Sequence, residues 1–157
     1  MLKTIKIFII ITVLLAIIKA TSMHIHGNSI PNFKYETLNG NIVNGNDIPN
    51  NKTFFIYFDP NCSHCELIAE LVKSYKNTKL DATFVFITRE KDLNKINLFL
   101  IKNALKNTVQ YILIDKYNTF GTDFGQGFNL TIPTVLLYDK NRKFIVKIID
   151  YEQILKV

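Results

Sequence analysis

The chain has no tryptophan, only two cysteines, six glycines and four prolines in 157 residues, and no long basic run. So few glycines and prolines, beside 48% hydrophobic and 20% charged residues, exclude a collagen-like, low-complexity or disordered chain. Cys62 and Cys65 are too few and too close together to staple a small secreted scaffold, whose bridges close longer loops. The length suits one domain with its own core.

The formal charge of +6 raises the question of nucleic-acid binding, and the N-terminus answers part of it. Lys3 and Lys6 precede an apolar run over residues 7–18, and Ala20, Thr21 and Ser22 follow. That order is the grammar of a signal peptide. The run is shorter than the roughly 20 apolar residues a bilayer core requires, so a cleaved signal is expected; an uncleaved, tilted anchor is the alternative. Either one places the domain outside the cytoplasm, in the periplasm or cell envelope. Neither cysteine lies near the run, which excludes a lipoprotein tether. Residues 1–22 carry three lysines and no acid, so the remainder holds a formal +3. Its lysines are dispersed among asparagines without aromatic interleaving, and no nucleic-acid partner is expected.

The organisation expected is a signal or anchor over residues 1–22, an arm or hairpin over 23–52, and an α/β core over 53–157. Within residues 30–49 apolar side chains sit sparsely between Asn and Gly turn signals. Residues 53–58 (TFFIYF) form a compact apolar run ending in Asp59-Pro60, the pattern of a strand buried on both faces. Over residues 65–77, Ile68, Leu71, Val72 and Tyr75 recur at spacings of three and four, which predicts an amphipathic helix. A strand at 82–88, a helix near 92–103 and a strand at 109–114 continue the alternation, and strand-helix-strand order means parallel βαβ units. After a Gly-containing stretch over 116–130, strands at 134–138 and 144–149 make an antiparallel hairpin. Residues 151–157 are too short a segment to assign.

Cys62-Ser63-His64-Cys65 stands where the buried strand meets the helix. A helix N-terminus presents free N–H groups and the positive end of the dipole, which favour a thiolate, the species that attacks a disulfide. Cys65 lies one turn on, within reach of the first sulfur, so Cys62 reads as the nucleophile and Cys65 as the resolving thiol. An inert bridge over so small a loop has little stabilising value. A zinc site would need two further ligands, and the chain offers only His24, His26 and His64 as imidazoles, so no metal is expected. His64 and Ser63, between the cysteines, are the redox-tuning candidates. An imidazolium near the thiolate would raise the reduction potential, whereas Asp59 and Glu66 would oppose the thiolate if they face it. His24 and His26 read as part of a tail. Ile132-Pro133, ahead of the hairpin strand, is a proline at a strand start.

Together these pieces resemble the thioredoxin-like superfamily, with its central mixed sheet, flanking helices and C-terminal antiparallel hairpin. The export signal, the opening PNFKYETLNGNIV and the Asp-Pro ahead of the cysteines are most similar to extracytoplasmic TlpA/ResA-type redoxins. The resemblance implies a thiol-disulfide oxidoreductase with nucleophile Cys62 and resolving Cys65. It also implies a cis-proline at Pro133, with Ile132 presenting backbone to an extended substrate strand. No cofactor is implied. The implied partners are cysteine-containing envelope proteins and a membrane redox partner, and a monomer is expected. The sequence departs from the family at Asn61, where a tryptophan commonly precedes the first cysteine, and at Ile56, where thioredoxin carries a buried acid. Glu66 and Glu70 are the candidate replacements for that acid. The Ser63-His64 pair resembles oxidase and isomerase dipeptides more than those of reductants, and the direction of electron flow stays open. The peroxiredoxin motif P-x-x-x-T-x-x-C is absent, since Phe55 and Asp59 stand at its positions before Cys62, and Phe58 and Cys62 before Cys65. A copper chaperone would need three residues between its cysteines. A binding module with vestigial cysteines is the alternative from a different class.

Overall fold

The computed structural model describes residues 28–78, 81–127 and 130–157. The expected export signal over residues 1–22, and His24 and His26, lie outside the described residues.

Among the described residues, seven strands form one sheet in the order β2-β1-β5-β4-β3-β6-β7. They are β1 (Lys34–Thr37), β2 (Ile42–Asn44), β3 (Lys52–Phe58), β4 (Ala82–Thr88), β5 (Tyr111–Ile114), β6 (Thr134–Tyr138) and β7 (Phe144–Ile148). Among the described residues the α-helices are α1 (Ser63–Thr78), α2 (Leu93–Lys102) and the short α3 (Phe120–Asp123). A 3-10 turn over Tyr151–Leu155 ends the chain's ordered elements.

The central strand is β3. It runs parallel to β4 from Lys52↔Ala82 to Phe58↔Thr88 and antiparallel to β6 from Thr53↔Tyr138 to Tyr57↔Thr134. Its apolar text follows from period-two alternation between two covered faces. Phe54, Ile56 and Phe58 face the layer of α1, α2 and the C-terminal turn, where Ile68, Val72, Phe99 and Ile154 are buried. Phe55 and Tyr57 face the opposite layer with Phe33, Tyr35, Phe120 and Phe124.

Three features add to or correct the sequence reading. The hairpin within residues 30–49 is built into the main sheet, because β1 pairs with β5 through Glu36↔Ile114 and Thr37↔Leu113. Arg142, in the turn between β6 and β7, fastens it from the far side by donating to the Gly45 and Ile48 carbonyls at 2.7 and 2.8 Å. The stretch over 116–130 contains α3, whose start is held by Asp115. That buried carboxylate accepts the N–H groups of Thr119 and Phe120 at 2.8 and 2.9 Å. The cap aims Phe120 onto Tyr57, with ring centroids 4.4 Å apart. Strand β5 starts at Tyr111 and not at residue 109, because the Thr108 and Val109 N–H groups are turned back onto the Leu105 carbonyl.

Candidate active site

The end of β3 delivers the cysteines. Chain direction reverses at Asp59, whose carbonyl accepts the Cys62 N–H at 3.1 Å and whose side chain accepts the Asn61 N–H at 2.8 Å. The Cys62 carbonyl then accepts the N–H groups of Cys65 and Glu66 at 3.0 and 3.3 Å, so Cys62 is the residue from which α1 starts. Its half-buried side chain lies at the positive end of the α1 dipole, where negative charge is favoured.

Both cysteines are free thiols, and Cys65 is fully buried. Burial pushes the Cys65 thiol far above the ordinary thiol range, and a hydrogen bond in which it keeps its proton against the Cys62 sulfur adds to that rise. The Asp59 N–H, directed at the Cys65 sulfur, works the other way, and the Asp59 carboxylate raises the thiol further. The two sulfurs therefore differ in environment as a nucleophile and a proton-holding partner should.

The carboxylate that acts on Cys65 is thus Asp59. Glu66 is taken up by Lys102, Oε1 to Nζ 2.6 Å, on the outer side of α1. Glu70 is exposed on the same helix, beside Lys73 and Lys102. Neither supplies the acid that Ile56 lacks, and Ile56 itself is buried among apolar side chains. Ser63 and His64 are exposed on the first turn of α1, and no side-chain hydrogen bond of His64 occurs among the described residues. Asn61, in the place of the family tryptophan, opens with Pro60, Leu98 and Lys102 onto a shallow groove between the cysteine turn and α2.

The antiparallel register of β3 and β6 brings the start of β6 beside the end of β3. Ile132 and Cys62 accordingly pack against the same core cluster. The Ile132–Pro133 peptide bond is cis. The Thr134 hydroxyl donates to the Thr131 carbonyl at 2.7 Å and closes the corner. Sequence reasoning missed one neighbour, Tyr151, whose hydroxyl donates to the Pro133 carbonyl at 3.4 Å. Its segment is too short for periodicity to single it out. Among the described residues no group of histidine, cysteine and carboxylate side chains could hold a metal ion.

No family model and no curated protein sequence matches the chain. Solved structures do. The thioredoxin domain of a thiol-disulfide oxidoreductase from Bacteroides vulgatus superposes with a TM-score of 0.67 at 16% identity, covering 83% of this chain and 92% of that one. A secreted Mycobacterium tuberculosis disulfide oxidoreductase homologous to E. coli DsbE gives 0.64 at 17% identity, covering 80% and 92%. A thiol:disulfide interchange protein of the thioredoxin family from Chlorobium tepidum gives 0.64 at 17% identity, covering 83% and 94%. The fold is thioredoxin-like. Within the thioredoxin-like fold, the described cysteine pair stands at the end of the central strand, and the Ile132–Pro133 corner stands beside it.

Proposed function

We propose that this chain is an extracytoplasmic thiol-disulfide oxidoreductase that exchanges Cys62 and Cys65 with cysteines of cell-envelope proteins. One observation carries the reading: half-buried Cys62 stands at the start of α1, one turn from the fully buried free thiol of Cys65, with Ile132 packed on the same core cluster.

In the reducing direction the Cys62 thiolate attacks one sulfur of a substrate disulfide. A mixed disulfide forms and the first substrate sulfur leaves as a thiolate. Cys65 then gives up its proton and attacks the Cys62 sulfur. The Cys62–Cys65 disulfide forms, the second substrate thiolate leaves, and two electrons have passed to the substrate. Run backwards, the same steps oxidise a substrate dithiol. Neither direction calls on a cofactor. Ile132 and Pro133 are the docking edge for an extended substrate strand. A membrane redox partner resets the pair. The N-terminal apolar run supports export, as does the likeness to a structure described as secreted.

Replacing Cys65 by Ser traps the mixed disulfide. The expected result is a set of adducts to envelope proteins that vanish when Cys62 is also replaced. Absence of adducts, with no thiol titrating below about 8.5, would leave a binding module with vestigial cysteines. Equilibration with glutathione gives the direction: a potential near about −270 mV marks a reductant and one near about −120 mV an oxidant. His64→Pro is expected to lower the potential, and an unchanged value would remove His64 from the redox-tuning role.

A further inference from the structure

We propose that Tyr151 is a positioning residue of this exchange site, its hydroxyl holding the Pro133 carbonyl so that the Ile132 backbone is fixed beside Cys62 for the substrate strand. The inference rests on the exchange reading and gives its docking element a second support.

Tyr151 is placed by its own turn. The Asp150 side chain accepts the Glu152 N–H at 3.2 Å and starts the 3-10 segment, and Ile154 is fully buried in the core cluster that α1 also covers. The Tyr151 ring, half-buried, packs on that cluster with Cys62 and Ile132. Its hydroxyl then meets the Pro133 carbonyl at 3.4 Å, while the Thr134 hydroxyl holds the Thr131 carbonyl at 2.7 Å. The carbonyls on both sides of Ile132 are therefore each held by a side chain. Burial, first, and the two nearby cysteines push the phenol above its ordinary value, which keeps it a neutral donor at working pH. A substrate strand added to the sheet gains its affinity through main-chain bonds, so loosening this corner weakens docking and leaves sulfur chemistry in place.

The test compares the full chain with Tyr151→Phe, which removes one oxygen and keeps the ring, and with Tyr151→Ala. Tyr117→Phe, exposed on the loop after β5, is the control. The substrate is a peptide with one internal disulfide, recycled by glutathione. Tyr151→Phe is expected to raise KM about three- to tenfold. The rate constant kcat, the rate of Cys62 alkylation and Tm should stay at wild-type values, with Tyr117→Phe unchanged throughout. Hydrogen exchange at the Ile132 and Thr134 amides should quicken in Tyr151→Phe. Tyr151→Ala should add a fall in Tm. An unaltered KM, or a kcat and alkylation rate that fall while KM holds, overturns the positioning role. A wild-type chain that turns over no disulfide overturns the exchange reading instead; unchanged amide exchange in Tyr151→Phe then overturns the hold on Pro133 as well.

Discussion

Cys65 keeps its proton against the sulfur of Cys62, deep under the first turn of α1. On the proposed exchange reading, the buried member of the pair would hold the proton and the half-buried member would be the reacting sulfur. Reduced protein treated with iodoacetamide near pH 7.5 should be modified at Cys62 and spared at Cys65. In single variants, Cys62→Ser should react at least about tenfold more slowly than Cys65→Ser. Mass spectrometry of the peptides decides it, and equal labelling of both cysteines would contradict the assignment.

Stability should respond to redox state above neutrality. Burial raises Cys65 above the value it has in the unfolded chain, so beyond about pH 8.5 the unfolded chain holds fewer protons than the folded one. Stability present below that pH is then lost as pH rises, by up to about 1.4 kcal/mol per pH unit for the one thiol. The buried phenols of Tyr35, Tyr57 and Tyr138, raised chiefly by burial, follow the same sign above about pH 10. In the disulfide form Cys65 has no proton to lose. Urea unfolding at pH 7.5 and 9.5 should show the dithiol protein losing roughly 1 kcal/mol more than the disulfide protein over that interval. Parallel losses in the two forms would refute the assignment.

Asp59 and Glu66 should separate cleanly. Asp59→Asn keeps an acceptor for the Asn61 N–H and removes the negative charge acting on Cys65. Resolution of a Cys62–glutathione mixed disulfide should then shift to lower pH, by up to about one unit. Glu66→Gln, which only breaks an exposed pair with Lys102, should leave the profile in place and change stability by under about 1 kcal/mol. Stopped-flow rates between pH 6 and 10 give both profiles. A shift in the Glu66 variant alone would return the acid's role to that helix.

Asp115 belongs to the scaffold. Asp115→Ala strips one buried and one part-buried N–H group of their acceptor and releases α3, at a cost of about 2–4 kcal/mol. Chemical denaturation reads the loss, and the Cys62 alkylation rate should not change. A change in that rate would tie α3 to the thiols.

The parts of this molecule that were legible in the sequence share one property, a pattern that tertiary context cannot disguise. Residues 54–58 carry apolar or aromatic side chains at every position because β3 is covered on both faces, and the helical spacing of Ile68, Val72 and Tyr75 marks the buried side of α1. The cysteine spacing is local chemistry and reads directly. What escaped depends on distant partners. Tyr151 gains meaning from Pro133, 18 residues away, and buried Asp115 also receives the Tyr57 hydroxyl, 58 residues away. Glu66 stood as near in sequence to Cys65 as any acid, yet Lys102, 36 residues on, draws it outward. The hairpin or arm expected within residues 30–49 is a hairpin, but its place in the main sheet was not legible, because its pairing partner β5 comes more than 70 residues later.

Strand β3 is bonded to β4 along all seven of its residues and to β6 along five. The cysteines are therefore mounted just past the tip of the most extensively paired strand among the described residues, which makes a stiff mount. A stiff mount transmits little of a substrate's motion, so the compliance needed to bring three sulfurs into line must come from the substrate strand. Flexible or partly unfolded cysteine segments should be the favoured clients, and disulfides locked inside finished domains should be passed over.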